Sequence, residues 1–188
     1  MRMNETEKEL IAMVLSGCVE AFEPLVTPYR GPLLALASRL TGDREEALDV
    51  VQEALLRAYR SLRTFDATRP FRNWLFQIAA NEARDRGRRR GRERVAFKDV
   101  VDRAAAPDGP EAGHDRRELR ANIMSSLAAL SPREREVFVL RDLEELDVRE
   151  TSRVLGCSSL SVRVHLSAAR RKLREVLRRD LPHPEDRR

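Results

Sequence analysis

Cysteine, aromatic residues and long apolar runs are all scarce in this chain, and each scarcity excludes a class of protein. The two cysteines among 188 residues, Cys18 and Cys157, stand alone, with no Cys-x-x-Cys or Cys/His cluster around either. That speaks against a disulfide framework and against a zinc site, and leaves both thiols as structural or incidental. Aromatics make up 5% of the chain, with a single tryptophan. β-branched and aromatic residues nowhere gather into short alternating runs, which argues against a sheet protein. No stretch approaches the roughly 18 consecutive apolar residues of a membrane span. The opening MRMNETEKEL is acidic and polar rather than a basic leader ahead of a hydrophobic segment. A cytoplasmic protein with no membrane attachment is expected. The sequence also has no glycine-rich phosphate loop, no nucleophile beside a base, no carboxylate pair in a defined loop and no metal-ligand spacing. It is therefore read as no enzyme, needing neither cofactor nor metal.

Charge and arginine are abundant instead. Charged residues make up 36% of the chain and hydrophobic ones 41%, enough apolar surface to build a core, so wholesale disorder is not expected. The length suits two small domains. The formal net charge is +5, and its location is more informative than its size. Arg84–Arg94 carries seven basic and two acidic side chains, Arg163–Arg179 carries seven and one, and the remainder is slightly acidic. Arginine supplies 33 of the 36 basic residues, a bias that explains the choice of arginine over lysine but not the clustering. Two separate basic stretches predict two contacts with a polyanion.

Apolar spacing with a period of 3.6 recurs throughout and predicts an all-α protein. Leu10, Val14 and Leu15, then Phe22, Leu25 and Val26, mark one or two short helices, and Pro32 opens another through Leu33, Leu36, Ala37 and Leu40. TGD at Thr41–Asp43 breaks the chain. Asp43 and Glu46 then form a capping box for a helix with Ala47, Val51, Ala54, Leu55, Ala58 and Leu62 on one face and Glu45, Asp49, Gln52 and Glu53 on the other. Phe65–Arg69 reads as a loop, and Pro70 suits the first turn of the next helix. Along PFRNWLFQIAANEARDRGRRR (Pro70–Arg90), Phe71, Trp74, Leu75, Ile78 and Ala79 form a buried stripe, while Asn73, Gln77, Asn81, Arg84 and Arg88 face outward. Amide side chains suit base edges, and arginines at a helix end suit phosphates.

Periodicity fades between Gly91 and Glu118, where AAAPDGPEAG (Ala104–Gly113) has a linker composition. It resumes with Leu119, Ile123, Leu127 and Leu130, pauses at a second capping box, SPRE (Ser131–Glu134), and continues through Val137, Leu140 and Leu143. The predicted organisation is a domain over residues 1–93, a linker over 94–117, a second domain over 118–181 and a tail over 182–188. Within the second domain, DVRETSRVLGCSSLSVRVHLSAARRKL (Asp147–Leu173) has the layout of a helix-turn-helix with Gly156 at its turn. Val148, Val154 and Leu155 face the core from its first helix, and Val162, Leu166, Ala169 and Leu173 from its second. Ser159, Ser161, Arg163, His165 and Arg170 are left where side chains reach base edges in a major groove, and Arg171, Lys172 and Arg174 where they meet phosphates.

Three blocks in order carry a family resemblance. LTGDREEALDVVQEALLRAYRSLRTF (Leu40–Phe65), FRNWLFQIAANEARDRGRRR (Phe71–Arg90) and the stretch Leu130–Leu177 together resemble an RNA polymerase sigma factor of the sigma-70 family, extracytoplasmic-function type. The resemblance implies a region 2 helical bundle and a region 4 helix-turn-helix joined by a flexible linker. It implies that Asp49, Gln52 and Glu53 dock on the clamp helices of the largest subunit of core RNA polymerase, with the flap of the second-largest subunit as a further contact. It assigns Phe65, Asn73, Gln77, Asn81, Arg84 and Arg88 to the minus-ten element of promoter DNA, the loop Phe65–Phe71 with Asn81 beneath it holding an unstacked base. It assigns Ser159, Ser161, Arg163, His165, Arg170, Arg171 and Lys172 to the minus-thirty-five element. An anti-sigma factor is a further implied partner. Leucine at 160 stands where the family often has glycine, and alanine at 168 where a basic residue is common. A stand-alone helix-turn-helix regulator is the rival reading and leaves the Leu40–Arg90 match unexplained. A phosphotransfer adaptor is disfavoured because the N-terminal half has no histidine.

Overall fold

The structure is a computed structural model, and it describes residues 5–90 and 122–180. The linker expected over 94–117 and the tail over 182–188 lie outside the described residues. The N-terminal domain consists of α1 (Glu5–Leu15), α2 (Phe22–Thr41), α3 (Arg44–Ser61) and α4 (Phe71–Arg90). The C-terminal domain consists of α5 (122–128), α6 (Pro132–Phe138), a π-helical segment (Val139–Leu143), α7 (Val148–Leu155) and α8 (Ser159–Asp180). No strand occurs among the described residues, and the all-α expectation is met.

Helices α2, α3 and α4 pack on one another, with Leu25, Leu33, Leu36, Ala54, Ala58, Phe71 and Leu75 all nearly inaccessible to solvent. α2 differs from the sequence reading, which opened a new helix at Pro32: one helix runs from Phe22 to Thr41 with Pro28 and Pro32 inside it. A proline mid-helix removes an amide donor and crowds the residue before it. Gly31, with no Cβ to crowd, precedes Pro32, and a buried stripe continues on both sides of the prolines through Leu25, Val26, Leu33, Leu36 and Ala37. Burial of that stripe outweighs the lost hydrogen bonds. The helix stops at Gly42, whose left-handed backbone (φ 77°) lets its amide donate to the Ser38 carbonyl. Asp43 then caps α3, its carboxylate accepting from the Glu46 amide at 2.9 Å, while the Asp43 amide donates to the Thr41 hydroxyl at 3.2 Å in place of the reciprocal half of the expected box.

In the C-terminal domain local chemistry fixes the starts of α6 and α7. Ser131 and Glu134 form a reciprocal capping box at α6, and Asp147 and Glu150 form another at α7. α7 ends at Gly156 (φ 59°), the turn residue anticipated from sequence, and α8 follows with Val162, Leu166, Ala169 and Leu173 buried. The two domains dock: α4 packs against α7, and α2 against α6 and the π-helical segment. Most of their buried apolar residues form one continuous hydrophobic cluster, while Ala37, Ala47, Val50 and Ala83 form a smaller one within the N-terminal domain.

Candidate nucleic-acid interface

Helix α4 is the better defined of the two expected reading elements. Its first turns are clamped by aromatic edges, with Trp74 5.1 Å from Phe65 and 5.6 Å from Phe71 between ring centroids. Trp74 is 8% exposed, so it acts as core. The loop ahead of α4 is held by Asp66, whose carboxylate accepts from the amide and the hydroxyl of Thr68. Those two hydrogen bonds hold the Asp66 carboxyl below its usual range. Arg69 at the end of the loop donates to the Gln77 side chain at 3.4 Å. The helix rises about 15 Å between residues 71 and 81, so Asn81 lies more than two turns from that loop. The Asn81 side chain instead accepts from Arg84 at 3.1 Å. Gln77, with Arg69, is thus the polar group beside the loop.

The outward face expected of α4 is only partly open. Gln77 and Asn81 are half-buried, and Arg88 and Arg89 are exposed. Asn73 is buried, its amide donating to Glu150 of α7 at 2.7 Å. Arg84 donates to both oxygens of Glu136 in α6, at 2.8 and 3.3 Å. Asn73, Trp74, Leu75 and Phe76 are four consecutive buried residues, because the N-terminal domain covers one side of the helix and the C-terminal domain the other.

Helix α8 turns outward only part of the set the sequence suggested, Arg163, Arg170, Arg171 and Arg174, and adds side chains the sequence reading left out. Ser159, Ser161 and His165 are half-buried, whereas Leu160, Arg163, Val164, Ser167, Arg171 and Arg174 are exposed. Leu160 is 68% and Val164 57% exposed, one helical turn apart, beside the arginines. Sequence reasoning passed over these two because it assigns apolar residues to the core. Their spacing from Val162 and Leu166 was the available signal, since two residues along a helix points away from the buried stripe. Arg170 makes a paired contact with Asp142 at 2.8 and 2.6 Å, and Lys172 donates to Glu134 at 2.7 Å. Both cations thereby brace α8 against the preceding elements. Arg163, Arg171 and Arg174 make no ion pair among the described residues and remain available to a polyanion.

On α3, Gln52 and Asp49 are exposed, and Glu53 is half-buried and paired with Arg57 at 3.1 Å. Asp49 accepts from Arg86 of α4 at 3.1 Å. Leu48, Leu56 and Tyr59 are exposed on the same helix, so this face is amphipathic rather than merely charged. Among the described residues there is no cluster suited to a metal and no helix long and apolar enough to cross a membrane.

Residues 25–93 match the family described as Sigma-70 region 2, and residues 120–173 match Sigma-70, region 4. The chain belongs to the extracytoplasmic-function branch of the sigma-70 family. The RNA polymerase sigma-H factor of Pseudomonas aeruginosa is 32% identical, covering 94% of this chain and 96% of its own. The RNA polymerase sigma factor CnrH of Cupriavidus metallidurans is 34% identical over 96% of this chain and 98% of its own. The solved structure of CnrH in complex with the cytosolic domain of CnrY has a TM-score of 0.68, at 31% identity, covering 94% of this chain and 100% of that one. Sigma-70 factors are initiation factors and not enzymes. The N-terminal bundle is thus a region 2 domain and the helix-turn-helix unit a region 4 domain.

Proposed function

We propose that this chain binds core RNA polymerase and directs promoter-specific initiation, region 2 holding the opened minus-ten strand and region 4 reading the minus-thirty-five element. The observation that carries the reading is the outer stripe of α8. Leu160, Val164, Ser167 and Arg171 lie on the side opposite the buried residues, beside the unpaired Arg163 and Arg174. That is a surface for a major groove: arginines for guanine edges and phosphates, and apolar side chains for thymine methyls. At region 2, the loop Phe65–Pro70 with Gln77 and Arg69 beside it is the place for an unstacked base, and Arg88 and Arg89 offer phosphate contacts. The amphipathic face of α3, with Asp49, Gln52, Leu56 and Tyr59, is the docking surface for the clamp helices, with the flap as a second polymerase contact. An anti-sigma factor joins the partners by family resemblance, and the relative CnrH was solved bound to the cytosolic domain of CnrY.

Run-off transcription with purified core polymerase on a genomic promoter library tests the reading. Transcripts that require this chain are expected, and duplex binding that core polymerase does not enhance would sink it. In a pull-down, Asp49→Ala with Gln52→Ala is expected to weaken core binding at unchanged helicity. Wild-type recovery of that variant would remove the α3 assignment.

A further inference from the structure

Leu160 and Val164 are the two most exposed large apolar side chains among the described residues. A single apolar residue on a surface needs no explanation, but these two are paired by position and by surroundings. They stand four residues apart on α8, which puts them on one face about 6 Å apart along the axis. The next exposed large apolar residue of that helix, Leu177, lies about 20 Å further on. The cations of α8 divide around the pair. Arg170 and Lys172 are tied to Asp142 and Glu134, whereas the exposed Arg163, Arg171 and Arg174 make no ion pair among the described residues. The arginines beside the patch match a phosphate-lined groove, whereas the core of a protein interface is depleted of charge.

What this face lacks narrows what it reads. From Ser159 to Ser167 the exposed side chains are Leu160, Arg163, Val164 and Ser167. The stretch has no asparagine, glutamine, aspartate or glutamate, so it offers no amide for an adenine edge and no carboxylate for the cytosine amino group. Arg163 suits a guanine or a phosphate. The two apolar side chains have one partner in the major groove, the C5 methyl of thymine. Base pairs stack about 3.4 Å apart, so about 6 Å of helix spans about two base-pair steps.

We propose that Leu160 and Val164 are specificity-determining residues, each taking one thymine methyl, and that the two thymines stand about two base-pair steps apart in the minus-thirty-five duplex. This rests on the reading under Proposed function and adds to it the groups that decide the element. Cytosine carrying a C5 methyl presents the same apolar group in the groove, so methylation of a cytosine at either position strengthens its contact with this helix.

The test uses the full chain on core RNA polymerase and the promoters that run-off transcription yields. Each thymine of the minus-thirty-five duplex, on either strand, is replaced in turn by deoxyuridine, which removes the methyl and keeps the base-pair hydrogen bonds. Affinity is read by competition in fluorescence anisotropy. Deoxyuridine is expected to weaken binding about fourfold at each of two thymines about two steps apart, the worth of one methyl group. Leu160→Ala is expected to abolish the loss at one of them and Val164→Ala at the other. Helical circular dichroism should be unchanged, since both side chains are exposed. At a sensitive position, 5-methylcytosine is expected to bind about fourfold tighter than cytosine. An element without such a thymine pair, indifference to deoxyuridine, a 5-methylcytosine that binds no tighter than cytosine, or a sensitivity that both alanine variants keep overturns the proposal. Should an alanine variant lose helicity, the two base-analogue series on the wild-type chain decide. A library that yields no transcript dependent on this chain sinks the sigma reading, and the proposal falls with it; dependent transcripts from elements indifferent to the methyl overturn the proposal alone.

Discussion

Two residues show how far single side chains are committed in this molecule. Trp74 joins Phe65 and Phe71 in an aromatic cluster that anchors α4 beneath the loop. Trp74→Ala leaves a cavity there, and a loss of about 3–5 kcal/mol in urea unfolding is expected. A loss below about 1 kcal/mol would mean that the indole is not a core group. Glu134 is pulled both ways: burial raises its carboxyl, but the Lys172 ammonium and the Ser131 amide outweigh burial and hold it below the usual range. A carboxyl that is lower in the folded than in the unfolded chain stabilises the fold above the unfolded value, about 4.3, and loses that contribution as pH falls through the folded value. The stability advantage of wild type over Glu134→Gln should therefore be full at neutral pH and shrink on acidification. A gap that stays constant with pH would refute the charged pairing.

The elements were legible in proportion to how local their causes are. Capping at Asp43, the box at Ser131–Glu134 and the turn at Gly156 depend on residues within a few positions, and the structure has them where the sequence placed them. The continuous α2 was not legible, because what carries it through Pro28 and Pro32 is the burial of residues against α3 and α4. Contact partners were least legible. Nothing in the sequence around Asn73 or Arg84 says that carboxylates some 50 to 80 positions away will engage them, and Arg170 and Lys172 read as DNA contacts until Asp142 and Glu134 are found beside them. Capping at α7 gives the prediction at this scale. Asp147→Ala removes the acceptor for the Glu150 amide, and about 1 kcal/mol of stability should go with it, measured by thermal unfolding. Unchanged stability would mean that α7 is held by packing alone.

At the scale of the whole molecule, one hydrophobic cluster runs through both domains, although the sequence predicts two units on a flexible linker. Coupled cores unfold together. At low salt, tryptophan fluorescence, which reports only on region 2, and far-ultraviolet circular dichroism, which reports on both domains, should give one coincident transition; two separated midpoints would show that the cores are energetically independent. Glu150 indicates what survives when the domains part. One of its oxygens accepts from the Asp147 amide within α7, and the other holds Asn73 of α4. Undocking releases the second oxygen and leaves the first in place, so α7 keeps its cap. The start of the reading head is therefore fixed from within region 4, so a change in docking alters what α4 meets without unwinding the first turn of α7.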